Sequence, residues 1–338
     1  MKPGATALLS LGTVTALYRY AVKSMLGEPL ASVAVNHTGL SGDRTHAVLD
    51  ETGAIGSAKH PRKWGPLLSC RSRVAEDDTV EVELPDGTVF TAGDPDLDAR
   101  LSKLLDRQVC VSASAPDHSR LERAVPEYEG GVPDAVRASA SVDGTGEKIT
   151  AGKVAAGTFF DFGRIHLVTT SSLPTLRSVH PAGDFDPRRF RPNLLVDTGE
   201  LPAFAEDGWQ GRRLRVGEAL FGVLVPTPRC VVPTLRHDEL KADPGIMRAI
   251  AHEHRVPVYD LVGRRASGCI SMSSNPARSG GGTRSRGRTN RDQAAVRHGR
   301  GCGDSVKRAR AGDVISEQLL SGRRHDRGGG GGGGGGQH

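Results

Sequence analysis

The chain has 338 residues, 37% of them hydrophobic, which is enough for two domains with a substantial core. Its net charge of +6 does not point to nucleic acid: 15 Lys+Arg and 5 Asp+Glu fall from Arg264 onward, so the body before it is mildly acidic. Five cysteines (Cys70, Cys110, Cys230, Cys269 and Cys302), odd in number and without a CxxC pair, exclude a disulfide scaffold or a structural zinc site.

Residues 1 to 17 are apolar but broken by Gly4, Gly12, Thr13 and Thr15, and no run approaches the about 18 apolar residues of a membrane span. A cytoplasmic protein with a loose N-terminal extension and no membrane contact is expected. Alternation then predicts short strands at Thr13 to Tyr20, Ala31 to Asn36, His46 to Asp50, Thr79 to Leu84 and Thr88 to Thr91, with Pro85-Asp86-Gly87 as a hairpin turn. A helix is expected from Pro95 to Leu105, capped by Asp94, with Leu97, Leu101, Leu104 and Leu105 on one face.

Residues 116–157 are polar and rich in Gly, Pro, Asp and Ser, and read as a long connection. Strands follow at Ile165 to Thr169, Asn193 to Asp197, Arg213 to Val216, Ala219 to Val225 and Cys230 to Leu235, with short helices at Ser172 to Val179 and Ala242 to His252. The expected class is mainly β with short helices: a β-rich N-terminal domain (13–115), a connection (116–157) and a β-barrel core (158–263). From residue 264 Gly, Arg and Ser dominate, ending in nine glycines from Gly328 to Gly336. Either a disordered basic tail or a lost coding frame accounts for that composition.

Several segments carry chemistry. Lys23 and Ser24 at a strand end offer an ammonium and a hydroxyl to a phosphate; an ordinary surface pair is the competing reading. Arg44 follows the tight turn Gly42-Asp43 and is aimed inward, unless it only pairs with Asp43 or Glu28. Thr169, Thr170, Ser171 and Ser172 close a strand and open a helix, where unpaired N–H groups favour an anion; helix capping explains one of these hydroxyls. In Arg189-Phe190-Arg191-Pro192-Asn193, alternation puts both arginines on one side and Pro192 keeps Arg191 extended. Cys230 is a soft ligand or a small core hydrophobe, whereas Cys70 and Cys110 read as core. Gly144-Thr145-Gly146-Glu147-Lys148 lacks phosphate-loop spacing, and His252-Glu253-His254 lacks the spacing of HExxH.

The succession YRYAVKS (Tyr18 to Ser24), GLSGDR (Gly39 to Arg44), LVTTSSL (Leu167 to Leu173), RFRPN (Arg189 to Asn193) and PRC (Pro228 to Cys230) resembles the MOSC proteins. That family is named for the C-terminal domain of molybdenum-cofactor sulfurases and includes the mitochondrial amidoxime-reducing component. The resemblance, from about Val14 to about Val262, implies an N-terminal MOSC β-barrel domain and a MOSC core whose last strand is not legible in this chain. It implies molybdenum cofactor (Mo-molybdopterin) with Cys230 as the metal's sulfur ligand, Arg191 and Asn193 as cofactor contacts, and Lys23, Ser24, Arg44 and the 169–172 segment completing the pocket.

The implied reaction is reduction of small N-hydroxylated compounds. Electrons must then come from a reductase or ferredoxin-type partner, because the chain has no cluster or flavin motif of its own. A sulfur carrier using a Cys230 persulfide, or a binder inactivated by loss of the last strand, are the alternatives. Nothing resembles the lysine region of a pyridoxal-phosphate desulfurase.

Overall fold

The computed structural model describes residues 9–117, 119–125, 134–144, 146–153, 159–256, 266–273 and 306–318. The class is mainly β with short helices. Eight strands form the main sheet, in the order Leu194–Asp197, Ile165–Thr169, Ala266–Ser273, Ala219–Pro228, Arg213–Val216, Val314–Glu317, Ser10–Arg19 and Glu28–Leu30. Ser10–Arg19 also pairs antiparallel with Leu194–Asp197, which closes seven of these strands into a barrel and leaves the short Glu28–Leu30 outside the ring. Alternate residues of these strands fill the interior, among them Val14, Leu17, Leu167, Val196, Leu214, Phe221 and Ile315.

A six-stranded sheet runs Val109–Ser112, Ala47–Asp50, Ala54–Ile55, Arg120–Ala124, Lys148–Lys153 and Ala140–Val142. A three-stranded one, Arg71–Val74, Val80–Glu83 and Val89–Thr91, turns at Gly87. Helix Pro95–Leu105 has the expected bounds: the Asp94 carboxylate accepts the Asp96 N–H at 2.9 Å, and Leu97, Leu101 and Leu105 are buried with Trp64 and Cys70 in a second core. Asp98 fastens the helix to its neighbouring strand by accepting the Val111 N–H at 2.8 Å.

Five expectations are corrected. The 116–157 segment is no mere connection, since it supplies three strands of the six-stranded sheet. The last barrel strand is not missing: Val314–Glu317 pairs with both Ser10–Arg19 and Arg213–Val216, and Ile315 is fully buried. Lys307–Arg310 pairs with Ser32–Asn36 and buries Ala309, so the 264–338 region is not uniformly a tail; its glycine run lies outside the described residues. The 13–115 unit is not separate either, since its first strand belongs to the barrel. Finally, Cys230 to Leu235 is not a strand. Pro233 cannot donate to a ladder, and Val232–Thr234 forms a single 3-10 turn instead.

Candidate functional site

A cavity of about 450 Å³ opens where strand ends of the barrel meet residues 23–24, 57–59 and 160–163. Among the described residues its walls carry seven cationic side chains (Lys23, Arg44, Lys59, Arg123, Arg189, Arg191 and Arg229), one carboxylate, Asp161, and the half-buried thiol of Cys230. Lys23, Ser24, Arg44, Arg191, Asn193 and Cys230, which come from four separate segments, therefore meet in one place.

The backbone is bent to bring them there. Ser24, Arg44 and Arg191 all take left-handed conformations, with φ of 65°, 50° and 53°. Side chains bearing a Cβ disfavour that region, and such strain collects where a ligand demands a particular geometry. The expectation that Pro192 holds Arg191 extended is thus wrong, because Pro187–Phe190 forms a 3-10 turn and Arg191 terminates it. That turn also separates the two arginines. Arg189 is buried and spends its guanidinium on the carbonyls of Asp184 (2.7 Å), Leu235 (3.2 Å) and Lys241 (2.8 Å), so it fastens the segment that follows Cys230. Arg191 donates to the Met25 carbonyl at 2.6 Å and lies 4.3 Å from the centre of the Tyr20 ring. Arg44 approaches the same ring at 5.0 Å.

Arg44 is aimed by Asp43, whose second carboxylate oxygen accepts the Tyr20 N–H at 2.8 Å. Glu28 pairs with Arg19 instead. Asn193 is fully buried, but its amide serves the chain: Oδ1 accepts from Arg44 (3.3 Å) and from the His166 N–H (3.1 Å), while Nδ2 donates to the Tyr18 carbonyl (3.2 Å). Asn193, expected as a cofactor contact, thus ties three segments of the chain together. Ser24 likewise donates to the Gly56 carbonyl (3.3 Å) and accepts the Ala58 N–H (3.1 Å).

Lys23 reaches the Phe159 carbonyl and Asp161 Oδ1, both at 2.8 Å, and Lys59 takes Asp161 Oδ2 at 3.0 Å. Burial opposes ionisation of Asp161, but the two ammonium groups hold its carboxyl well below the usual range. Burial lowers the Lys23 ammonium to about 8 despite Asp161, and lowers Arg191 to about 10, with Arg44 adding to the effect. Lys23 and Arg191 therefore carry their charges against burial. An anion entering the cavity would relieve them.

Beside Cys230, the Arg229 guanidinium lies 5.6 Å from the centre of the Phe190 ring and 2.7 Å from His166 Nε2. His166 Nδ1 faces the Arg191 carbonyl at 3.3 Å. Burial first, and the Arg229 charge second, keep His166 well below the usual imidazole range.

Thr169, Thr170 and Ser172 do not reach the cavity. Thr169 donates to Glu206 (2.9 Å) and meets Ser172 Oγ at 3.2 Å; Ser172 accepts the Phe204 N–H, and Thr170 lies 3.4 Å from Asp197. The Thr169 side chain points to the opposite face of its strand from His166, which the odd spacing of the two already required. Cys110, read as core, is exposed, whereas Cys70 is buried. Lys59, Arg123, Asp161 and His166 escaped the sequence reading because single polar residues in unrelated segments carry no spacing signal.

Family models match over two stretches: the MOSC N-terminal beta barrel domain over residues 11–127 and the MOSC domain over residues 155–267. The chain is a MOSC-domain protein. No curated protein matches it. MOSC domains are associated with molybdenum-cofactor binding or sulfurase-like functions, and MOSC proteins are often enzymes related to that cofactor. No helix among the described residues is long and apolar enough to cross a membrane.

Proposed function

We propose that this MOSC protein holds molybdenum cofactor in the 450 Å³ cavity and reduces small N-hydroxylated compounds. The observation that carries the reading is one accessible sulfur, Cys230, set among seven cationic side chains and a single carboxylate, Asp161, in the described lining of the cavity. The donor set fits the group: molybdopterin brings a phosphate, which suits lysine and arginine, and a metal, which suits a soft thiolate.

Lys23 and Lys59 would take the phosphate, with Asp161 displaced from them, and Arg44 and Arg191 would line the pterin on the Tyr20 side. Cys230 would ligate the metal. The bound group supplies two-electron chemistry at its metal. Two electrons and two protons convert an N–OH to an N–H, the N–O bond breaks, and the oxygen leaves as water. The electrons come from a reductase or ferredoxin-type partner. Within the cavity, Arg229 beside Cys230 offers a fixed cation to the substrate oxygen as the N–O bond weakens and negative charge grows on it.

The test is metal analysis and pterin fluorescence of purified protein, with benzamidoxime reduction under a supplied electron donor. Stoichiometric molybdenum and amidine formation are expected. A labile sulfane sulfur on Cys230 without metal would replace this reading with sulfur transfer.

A further inference from the structure

His166 sits on strand Ile165–Thr169, whose neighbours in the barrel fix its backbone: its N–H donates to Asn193 Oδ1 at 3.1 Å. Its ring meets two groups of opposite demand. The Arg191 carbonyl, 3.3 Å from Nδ1, can only accept a hydrogen bond; the Arg229 guanidinium, 2.7 Å from Nε2, can only donate one. One protonation state satisfies both, a neutral imidazole with its proton on Nδ1 and its lone pair on Nε2. A proton on Nε2 would set two donors face to face at 2.7 Å. Arg44 and Arg191 stand nearby and further disfavour a second positive charge.

The cavity thus contains a histidine that serves as an acceptor for arginine. An arginine on the surface needs no such partner, because water accepts from it. Arg229 lies in the cavity wall, directly before Cys230, and its long side chain has several rotamers that would carry the guanidinium elsewhere. The Phe190 ring at 5.6 Å gives the guanidinium a face to lie on but no direction within that face. Nε2 of His166 supplies a directed acceptor at 2.7 Å.

We propose that His166 is a positioning residue, which as the neutral Nδ1–H tautomer holds the Arg229 guanidinium at the Cys230 side of the cavity. The ligand it serves is the oxygen-bearing, electron-accepting group of the substrate, and this part rests on the reading given under Proposed function. The tautomer and the orientation of Arg229 do not.

Long-range nitrogen–proton NMR of the full chain, with the His166 signals assigned by their loss in His166→Gln, tests the tautomer. A neutral ring protonated on Nδ1 at pH 7 is expected; an imidazolium or a proton on Nε2 overturns the proposal. Orientation is read from the Arg229 side-chain N–H signals, assigned with Arg229→Lys. They are expected to be resolved in the wild type and in His166→Gln, whose amide oxygen can stand in for Nε2, and averaged in His166→Leu. Resolved signals persisting in His166→Leu would show that the histidine orients nothing. Should His166→Leu fail to fold, His166→Asn, which keeps a donor near the Nδ1 position and lacks the distal acceptor, takes its place.

In cofactor-loaded protein, His166→Leu should lower kcat for benzamidoxime about 10- to 100-fold, the scale of one lost hydrogen bond to a charged group. His166→Gln should recover most of that loss. If the wild type is inactive while both NMR results hold, the substrate reading fails and the positioning role stands.

Discussion

Lys23 and Asp161 form an ion pair of 2.8 Å inside a cavity whose other charged walls are cations. Asp161 sits where an incoming anion would compete with it for two ammonium groups. Asp161→Asn should therefore bind inorganic phosphate more tightly, by about three- to tenfold, since the pair is partly solvent-screened. It should also lower the Lys23 ammonium further, because burial and Lys59 then act unopposed. Calorimetric titration reads the first effect; weaker phosphate binding in the variant would make Asp161 a support for the site and not its competitor.

Cys230→Ser is nearly isosteric at a half-buried position, so its thermal midpoint should stay within about 2 °C of the wild type. Amidoxime reduction should be lost, because a hydroxyl is a hard and weakly acidic ligand. Wild-type activity in this variant would remove Cys230 from the chemistry.

The two arginines of RFRPN should behave differently. Arg189→Ala leaves at least three carbonyl contacts unmet in a buried place and should cost about 2–4 kcal/mol in urea unfolding. Arg191→Ala gives up one carbonyl contact and relieves a left-handed arginine only in part, so its main effect should be on pterin content. Equal losses of stability in both would contradict the division of labour.

Stability should also report on Glu206, which is fully buried with Oε2 unbonded among the described residues. Burial pushes its carboxyl up to about 7. An unfolded glutamate titrates near 4.3, so the folded chain holds the extra proton between about 4.3 and 7, and the contribution to stability is lost as pH rises across that window. Glu206→Gln stays neutral and keeps an acceptor for Thr169. It should match the wild type near pH 4 and exceed it at pH 8 by about 3–4 kcal/mol in urea melts. Parallel curves would place the titration elsewhere.

Ile315→Ala should cost about 2–4 kcal/mol, the usual range for emptying a buried aliphatic site. A chain cut before residue 306 loses the strand that joins Ser10–Arg19 to Arg213–Val216 and should aggregate through the two exposed edges. A soluble, cooperatively folding truncation would show that closure is dispensable.

What could be seen in advance depended on how local the signal was. Helix Pro95–Leu105 is periodic and capped, and strand Ile165–Thr169 is a short apolar run before hydroxyls; both lie where the pattern places them. Lys307–Arg310 has no apolar face to read, since its place is fixed by pairing with Ser32–Asn36 from the other end of the chain. Cys230 to Leu235 has the composition of a strand, and one proline decides otherwise. At the site, motif residues such as Arg44 and Arg191 stood out, yet their left-handed backbones did not. The Thr169 and Ser172 hydroxyls stood out as well, but Glu206 and the Phe204 amide consume them.

The pairing of Thr13 with Val314 spans about 300 residues of chain. During synthesis the first strand leaves the ribosome long before the strand that will lie beside it exists. It must wait, apolar on one face and unpaired along that edge, while the helix-containing N-terminal sheets collapse around Trp64 and Leu97. Barrel closure is therefore the final event of folding, slow because so distant a contact offers no early reward. The cavity that carries Cys230, built on the ends of those strands, comes into being only after the whole barrel has been made.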